Sequence, residues 1–393
     1  MKRSRCVWIV SAALSARLFA QQPSAPQQLQ AHSQLFNSSI HQLSLNVVVT
    51  DRSGLPVTGL QPADFQLFDN RSPAKLAQVQ SDPHIEILLI LDAINTSHGD
   101  LAHAEDQVRA LLSKNGGHLV RPISILLLTD SEPKLKPGTN TATSIVTALH
   151  DRQAFVRRIP ASTDGAVLRK ALDESATGLS RILEAQGGEG DAERVRLSLQ
   201  ALNFIATAQL EDPARKILVW ISPGWPLLAH SSARTNEQLF DSIVYFSRLL
   251  HDAHITLDVI SPAGLTPAVQ SPGLPPPQVV NGSTVRGGPS STPSVDSTPA
   301  LYQSYFKPAK SARQVDPNDL ALQALAHQTG GLVSPPGNAI EPELEHRLAQ
   351  ADALYILSYD LPLPTGSTQY HDLAVKVGRP GVEIHTPTGY YAR

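Results

Sequence analysis

Beyond its sixth residue the chain contains no cysteine. The one thiol, Cys6, sits in the N-terminal apolar stretch, so the rest of the chain can form no disulfide and offers no thiolate to a metal. Its domains must be held by core packing alone. Charge of one sign is also missing. Thirty-two Lys and Arg stand against 35 Asp and Glu, a formal charge of -3. With no basic stripe along the chain, this balance excludes an electrostatically driven nucleic-acid binder. The apolar run at residues 6–14 is too short to span a bilayer. No G-x-S-x-G, HExxH, P-loop or G-x-G-x-x-G motif is present, so no catalytic class has motif-level support.

What is present is a secretory pattern followed by alternating strands and helices. Lys2, Arg3 and Arg5 precede the short apolar run, and small residues lead to Ala20 before a polar Gln21. This reads as a signal peptide over residues 1–20, although Arg17 lies late in it. Export to the periplasm or the cell exterior follows, with no stable membrane span after cleavage. Residues 21–42 are rich in Gln and Ser and read as a disordered leader.

The centre of the chain is residues 85–96, ending LLILDAINT. Its short, Ile-rich apolar run reads as a strand buried on both faces. Similar runs occur in ISILLL (residues 123–128), KILVWI (216–221) and ITLDVI (255–260). Helical spacing lies between them at residues 101–112, 168–183, 192–210 and 236–252. Residues 143–149 and 155–159 read as flanking a further helical turn or two, and 133–137 as a short return strand. Strands alternating with helices predict an α/β fold, a mostly parallel sheet covered on both faces. Residues 264–317 are dense in Pro, Ser, Gly and Thr and read as a flexible insertion. A helix resumes at 320–328, then a short strand at Leu332–Val333 and a helix at 340–351. Residues 43–82 form a small antiparallel β unit that cannot stand alone. The tail, residues 353–393, has the same period-two pattern. Together they predict a β-sandwich split by the α/β domain at residues 83–352.

These segments resemble the acidobacterial VWFA-related domain family of exported proteins, built on a von Willebrand factor A-like domain. The resemblance rests on VVVTDRSGLPVTGLQPADFQLFDN, LLILDAINT, RKILVWISPGWP, LALQALAHQTGG, LYILSYDLP and VKVGRPGVEIHTPTGYYA, in that order. It implies a Rossmann-like sheet and a protein-binding role, and supplies no substrate. It also implies a metal-ion-dependent adhesion site, with ligands from a DxSxS loop, a Thr on a second loop and an Asp after a later strand. Asp92 matches the first ligand and Thr96 replaces a Ser hydroxyl. Thr139 takes the second-loop place, ahead of a helix at 143–149. Ile94 and Pro223 fall where two ligands belong and have no side-chain oxygen, although Ser222 lies beside Pro223. Hard cations such as Mg²⁺ or Ca²⁺ need several placed oxygens. The expectation is a degenerate site with no resident cofactor. The competing role for Asp92 is to cap the following turn through backbone N–H groups. Asp130 and Asp258 are the remaining carboxylates that could lend charge.

His251 and His254 have an i,i+3 spacing but no third ligand, and read as surface histidines at a helix end, as do His98 and His103. Asn95, Ser97, Ser222 and Trp225 mark the carboxyl-end face of the sheet as a protein-binding surface, with Trp225 either an exposed aromatic anchor or buried against a helix. The expected function is therefore a non-enzymatic adhesion or scaffold module with an unknown protein ligand. The alternatives are an envelope hydrolase and a structural envelope component without a discrete ligand.

Overall fold

The computed structural model describes residues 42–81, 85–130, 142–146, 154–176, 188–228, 235–262, 279–280, 283–284, 305–334, 340–361 and 368–392. The fold is α/β, with one mostly parallel sheet, two four-stranded antiparallel sheets and a two-stranded antiparallel ribbon among the described residues.

The chain enters through β1 (Gln42–Asp51), β2 (Phe65–Asp69), β3 (Ser72–Ala74) and β4 (Leu76–Ser81). It continues through β5 (Ile85–Asp92), α1 (His98–Ser113), β6 (His118–Thr129), β7 (Ala142–Val146), β8 (Ala154–Asp164), α2 (Gly165–Ala176) and α3 (Gly188–Thr207). Next come β9 (Arg215–Ile221), α4 (Asn236–Asp252), β10 (Ile255–Ile260), and the two-residue strands β11 (Val279–Val280) and β12 (Ser283–Thr284). Helices α5 (Leu322–Gln328) and α6 (Ile340–Gln350) lead into β13 (Leu354–Asp360), β14 (Gln369–Val377), β15 (Val382–His385) and β16 (Gly389–Ala392).

The central sheet has the order β10-β9-β5-β6-β8-β7. Its first four strands are parallel, and β8 and β7 close one side antiparallel. Strands β5, β9 and β10 and residues 123–129 of β6 are buried on both sides almost throughout, which is why they read as apolar runs. Ile87, Leu89 and Leu91 share one face with Leu101, Val108 and Leu112 of α1, Leu168 and Leu172 of α2, and Ile340 and Leu344 of α6. Leu88, Ile90, Leu218 and Trp220 are buried on the opposite face. There α3 reaches β7 and β8, while α4 and α5 reach β10.

Two expectations are corrected here. The described part of the helix expected at 143–149 is a strand instead: Ala142–Val146 pairs antiparallel with Ala154–Asp164, Ser144 opposite Val156. Thr143, Ile145 and Val146 are β-branched and favour a pleated, paired strand over a helix. At 332–333 there is a single bridge, from Val333 to Val259, rather than a strand. Its approach requires the double glycine: Gly330 has φ +75°, and a Cβ on Gly331 would lie 2.0 Å from the Leu257 carbonyl oxygen. The stretch at 133–137 lies outside the described residues. The end of the Pro-rich segment packs on the body. Ala309 is buried and its carbonyl accepts from the Tyr391 hydroxyl (2.8 Å), while Phe306 stacks on His327.

The N- and C-terminal strands interleave. One four-stranded sheet runs β15-β1-β13-β4, the other β16-β14-β2-β3. Leu43, Leu45, Val47 and Val49 of β1 meet Phe65, Leu67, Tyr355, Leu357 and Leu373 in one core between them. Val48, on the other side of β1, joins the core of the α/β part, and Asn46 donates to Thr256 Oγ1 of β10 (2.9 Å). The VVV run of β1 is thus apolar on both faces because two cores meet across it. The Tyr355 hydroxyl donates to Val57 O (2.9 Å) and accepts from Leu60 N (3.1 Å), which ties down the Gly/Pro-rich loop after β1.

Candidate functional site

Strand β5 ends in Asp92, at the carboxyl edge of the parallel strands, where open α/β sheets place their ligands. The Asp92 side chain is fully buried. Its Oδ1 accepts from the backbone N–H of Ile94 (2.9 Å) and of Asn95 (3.0 Å). Its Oδ2 accepts from Asn95 Nδ2 (2.8 Å) and from the indole N–H of Trp220 (2.9 Å). An ionised carboxylate has about four lone-pair directions, and four donors occupy them. Burial pushes the Asp92 carboxyl up from its ordinary value, and these hydrogen bonds oppose that shift. The backbone bonds make Asp92 the cap of the turn at residues 93–95, as the capping alternative expects.

Asn95 extends the closure. Half-buried, it also donates Nδ2 to Ser198 Oγ of α3 (2.8 Å), linking the loop after β5 to the neighbouring helix. Thr96 is buried. Ser97 is exposed and is the N-cap of α1, accepting from Asp100 N (3.1 Å). Thr139 lies outside the described residues. Ser222 is fully buried, and its Oγ accepts from Gly224 N (3.2 Å). Gly224, at φ +109°, turns the chain so that Trp225 drops inward. Trp225 is fully buried, edge-on to Trp220 with ring centroids 5.4 Å apart. The exposed-anchor reading of Trp225 is therefore corrected: its ring fills the space behind the carboxyl-end loops. Of the seven residues singled out at this face, Ser97 is exposed and Asn95 half-exposed, while Asp92, Thr96, Ser222 and Trp225 are interior.

Neither further carboxylate joins Asp92 by any described contact. Asp130 follows β6, half-buried. Asp258 is buried on β10, accepting from Leu332 N (2.8 Å) and lying 3.7 Å from Arg347 Nε. Among the described residues no group of three or more His, Cys, Asp or Glu side chains is placed to share an ion.

The histidine pair is also corrected. His251 and His254 are half-buried rather than on the surface. Arg215 Nη1 donates to His254 Nδ1 (3.0 Å). Burial lowers His251 to about 3 and His254 to about 4, with nearby cations adding to both shifts. Burial raises Asp252 between them to about 6. His98 and His103 are exposed on α1.

Sequence reasoning missed Trp220 and Ser198. Trp220 is 128 residues from Asp92 along the chain, and KILVWI has no local signal that its indole serves a carboxylate. The usable clue was register, because parallel pairing sets Trp220 beside Ile90, two residues before Asp92.

No protein-family model and no curated protein matches the chain. Among solved structures, the human COPII-coat protein Sec24c is similar at 9% identity and a TM-score of 0.29, over 79% of this chain and 44% of that one. The pilus adhesin RrgA from Streptococcus pneumoniae is similar at 12% identity and a TM-score of 0.20, over 51% of this chain and 28% of that one. This chain thus covers less than half of either protein, and likenesses this low carry no functional argument. No helix among the described residues is long and apolar enough to cross a membrane.

Proposed function

We propose that the chain is an exported, non-enzymatic adhesion or scaffold module of von Willebrand A type, whose metal-ion-dependent adhesion site has been replaced by an internal hydrogen-bond network. The observation that carries this reading is the saturation of Asp92 by Ile94, Asn95 and Trp220. A divalent cation at Asp92 would have to displace at least one of these donors. Ile94 and Pro223 would give it no side-chain oxygen in return. The basic, apolar and small residues over 1–20 support export. The hydrolase alternative finds less support, since His254 is engaged by Arg215 and no catalytic motif accompanies the pair in the sequence. On this reading the partner is a protein and its capture is independent of cations.

Thermal melts in Mg²⁺, Ca²⁺ or chelator test the closure. A ligand bound only by the folded state at one hundred times its Kd stabilises by about 2.7 kcal/mol. No shift in Tm is expected at millimolar ion, and capture from envelope extract should be unchanged by chelation. A rise in Tm that Asp92→Ala abolishes would mean a working metal site with substitute ligands. Turnover in a hydrolase screen would replace the binding-module reading with the enzymatic one.

A further inference from the structure

At one end of the sandwich the two antiparallel sheets part around a cavity of about 630 Å³, within the roughly 300–1,000 Å³ range of small-ligand sites. Its inner side is a side-chain network. Asp69 Oδ1 pairs with His371 Nδ1 (2.8 Å), and Oδ2 accepts from the hydroxyls of Tyr359 (3.3 Å) and Tyr390 (3.2 Å). The Tyr390 ring stacks on the imidazole, centroids 4.8 Å apart. The carboxylate requires the proton at Nδ1, so the neutral ring keeps Nε2 as an acceptor. Asp69 and His371 both line the cavity, as does Asp360.

The other wall is residues 72–77, from β3 and the start of β4. Each is the last strand of its sheet among the described residues. Such an edge presents main-chain N–H and C=O groups that a further strand can use. Strand β3 is blunted by Pro73. Strand β4 is not: Leu76–Ser81 reads LAQVQS, with neither proline nor charge, and Ala77, Gln78, Gln80 and Ser81 are exposed. Asp69 is turned to His371 and the two tyrosine hydroxyls, and Lys75 and Asp360, of opposite sign, both line the cavity. An occupant that is itself uncharged, extended and able to give main-chain hydrogen bonds matches this wall.

We propose that β4 and the cavity together bind an extended, uncharged segment of another protein, which adds as a fifth strand beside β4 and sets a Ser or Thr hydroxyl against His371. The mode is strand addition, with main-chain bonds giving affinity and a side-chain pocket giving selectivity. It rests on the binding-module reading and deepens it by naming the partner's chemistry and the surface that takes it.

The test is selection of a random decapeptide phage library on the immobilised full chain. The expected result is enrichment of uncharged, β-branched sequences with a recurrent Ser or Thr. Two N-methylated forms of a selected peptide, methylated at odd or at even positions, then probe the geometry. Strand addition predicts that one form loses binding by roughly tenfold or more and the other keeps it. Replacing the recurrent Ser or Thr by Ala should lose affinity on the wild-type chain but not on His371→Phe. Equal loss in both methylated forms, charged or helical consensus sequences, or no enrichment would overturn the proposal. So would competition by a synthetic peptide of residues 21–41, which would assign the edge to the chain itself. A dimer in sedimentation velocity that Gln78→Lys dissociates would overturn it in favour of a second copy. If peptides fail while cation-independent capture from envelope extract persists, the strand-addition site falls and the binding-module reading stands.

Discussion

Trp220 and Trp225 form a controlled pair for the closed carboxyl-end site. Both are fully buried, and they pack against each other. They differ in one respect. The Trp220 indole N–H donates to Asp92 Oδ2 at 2.9 Å, whereas Trp225 Nε1 has no hydrogen-bond partner among the described residues. Replacing either by Phe removes the same atoms from the core and weakens the same edge-on contact. Only Trp220→Phe also deprives a buried carboxylate of a donor. Hydrogen bonds to charged groups contribute about 1.5–3 kcal/mol. Trp220→Phe should therefore be less stable than Trp225→Phe by about that amount, beyond a shared packing loss of order 1–3 kcal/mol. Urea unfolding of the two variants, followed by far-UV circular dichroism, measures the difference directly. In an Asp92→Ala background the difference should shrink towards zero, because the coupling belongs to the pair. Equal midpoints in the wild-type background, or a difference that survives Asp92→Ala, would refute the reasoning and leave the indole bond without energetic weight.

The half-buried cluster at the end of α4 should shape the acid limb of stability. His251 and His254 have folded values of about 3 and about 4, below the ordinary 6.5, so the unfolded chain binds more protons across that interval. Their contribution is present above pH 6.5 and lost as pH falls through the folded values. His254→Gln should flatten the fall in urea midpoint between pH 6.5 and 4. Asp252, raised to about 6, acts in the opposite sense, so Asp252→Asn should steepen that fall. Arg347→Met leaves Asp258 buried without its cation and should cost about 3–5 kcal/mol, much of which Asp258→Asn in the same chain should restore; no recovery in urea midpoint would mean that the arginine acts through packing. Removing residues 354–393 takes β13 from the middle of one sheet and β14 and β16 from the other, exposing Val47 and Val49; aggregation in light scattering is expected, and a stable monomer would contradict the shared core.

The parts of the fold that were legible are those whose surroundings are uniform. Strands β5, β9 and β10 and the second half of β6 are covered on both faces, so each appears as an apolar run whatever its neighbours are. Helix α4 was readable to the residue because its apolar stripe is bounded by a local device: Thr235 and Gln238 form a capping box. Strands β7 and β8 were not readable, because an antiparallel continuation of a parallel sheet depends on partners that no short window contains. The same divide runs through the site. Asp92 was recognisable from its place after an apolar strand, and its turn-capping role from the residues beside it. That Trp220 would occupy its second oxygen, that Trp225 would turn inward, and that Asp69 and His371 would meet from opposite ends of the chain are matters of register and topology. Local pattern does not encode them.

The pairing of β4 with β13 has a consequence for how the chain must assemble. Val79 lies opposite Leu357, and Ser81 opposite Tyr355, although residues 82–353 separate the two strands along the sequence. The α/β body thus leaves and re-enters the sandwich through adjacent strands. As the chain is synthesised, β1 to β4 emerge before the body, and apart from the β2–β3 hairpin they have no strand partners until the body and the tail have followed. Closing so long a loop is entropically demanding for a disordered chain, and far less so once the body has folded and brought its two ends side by side. The body is then the template and the sandwich the last part to form, with the apolar strands of residues 43–81 waiting longest unpaired. That interval is where early-folding intermediates would be most open to misassociation, and where a holding factor would have most effect.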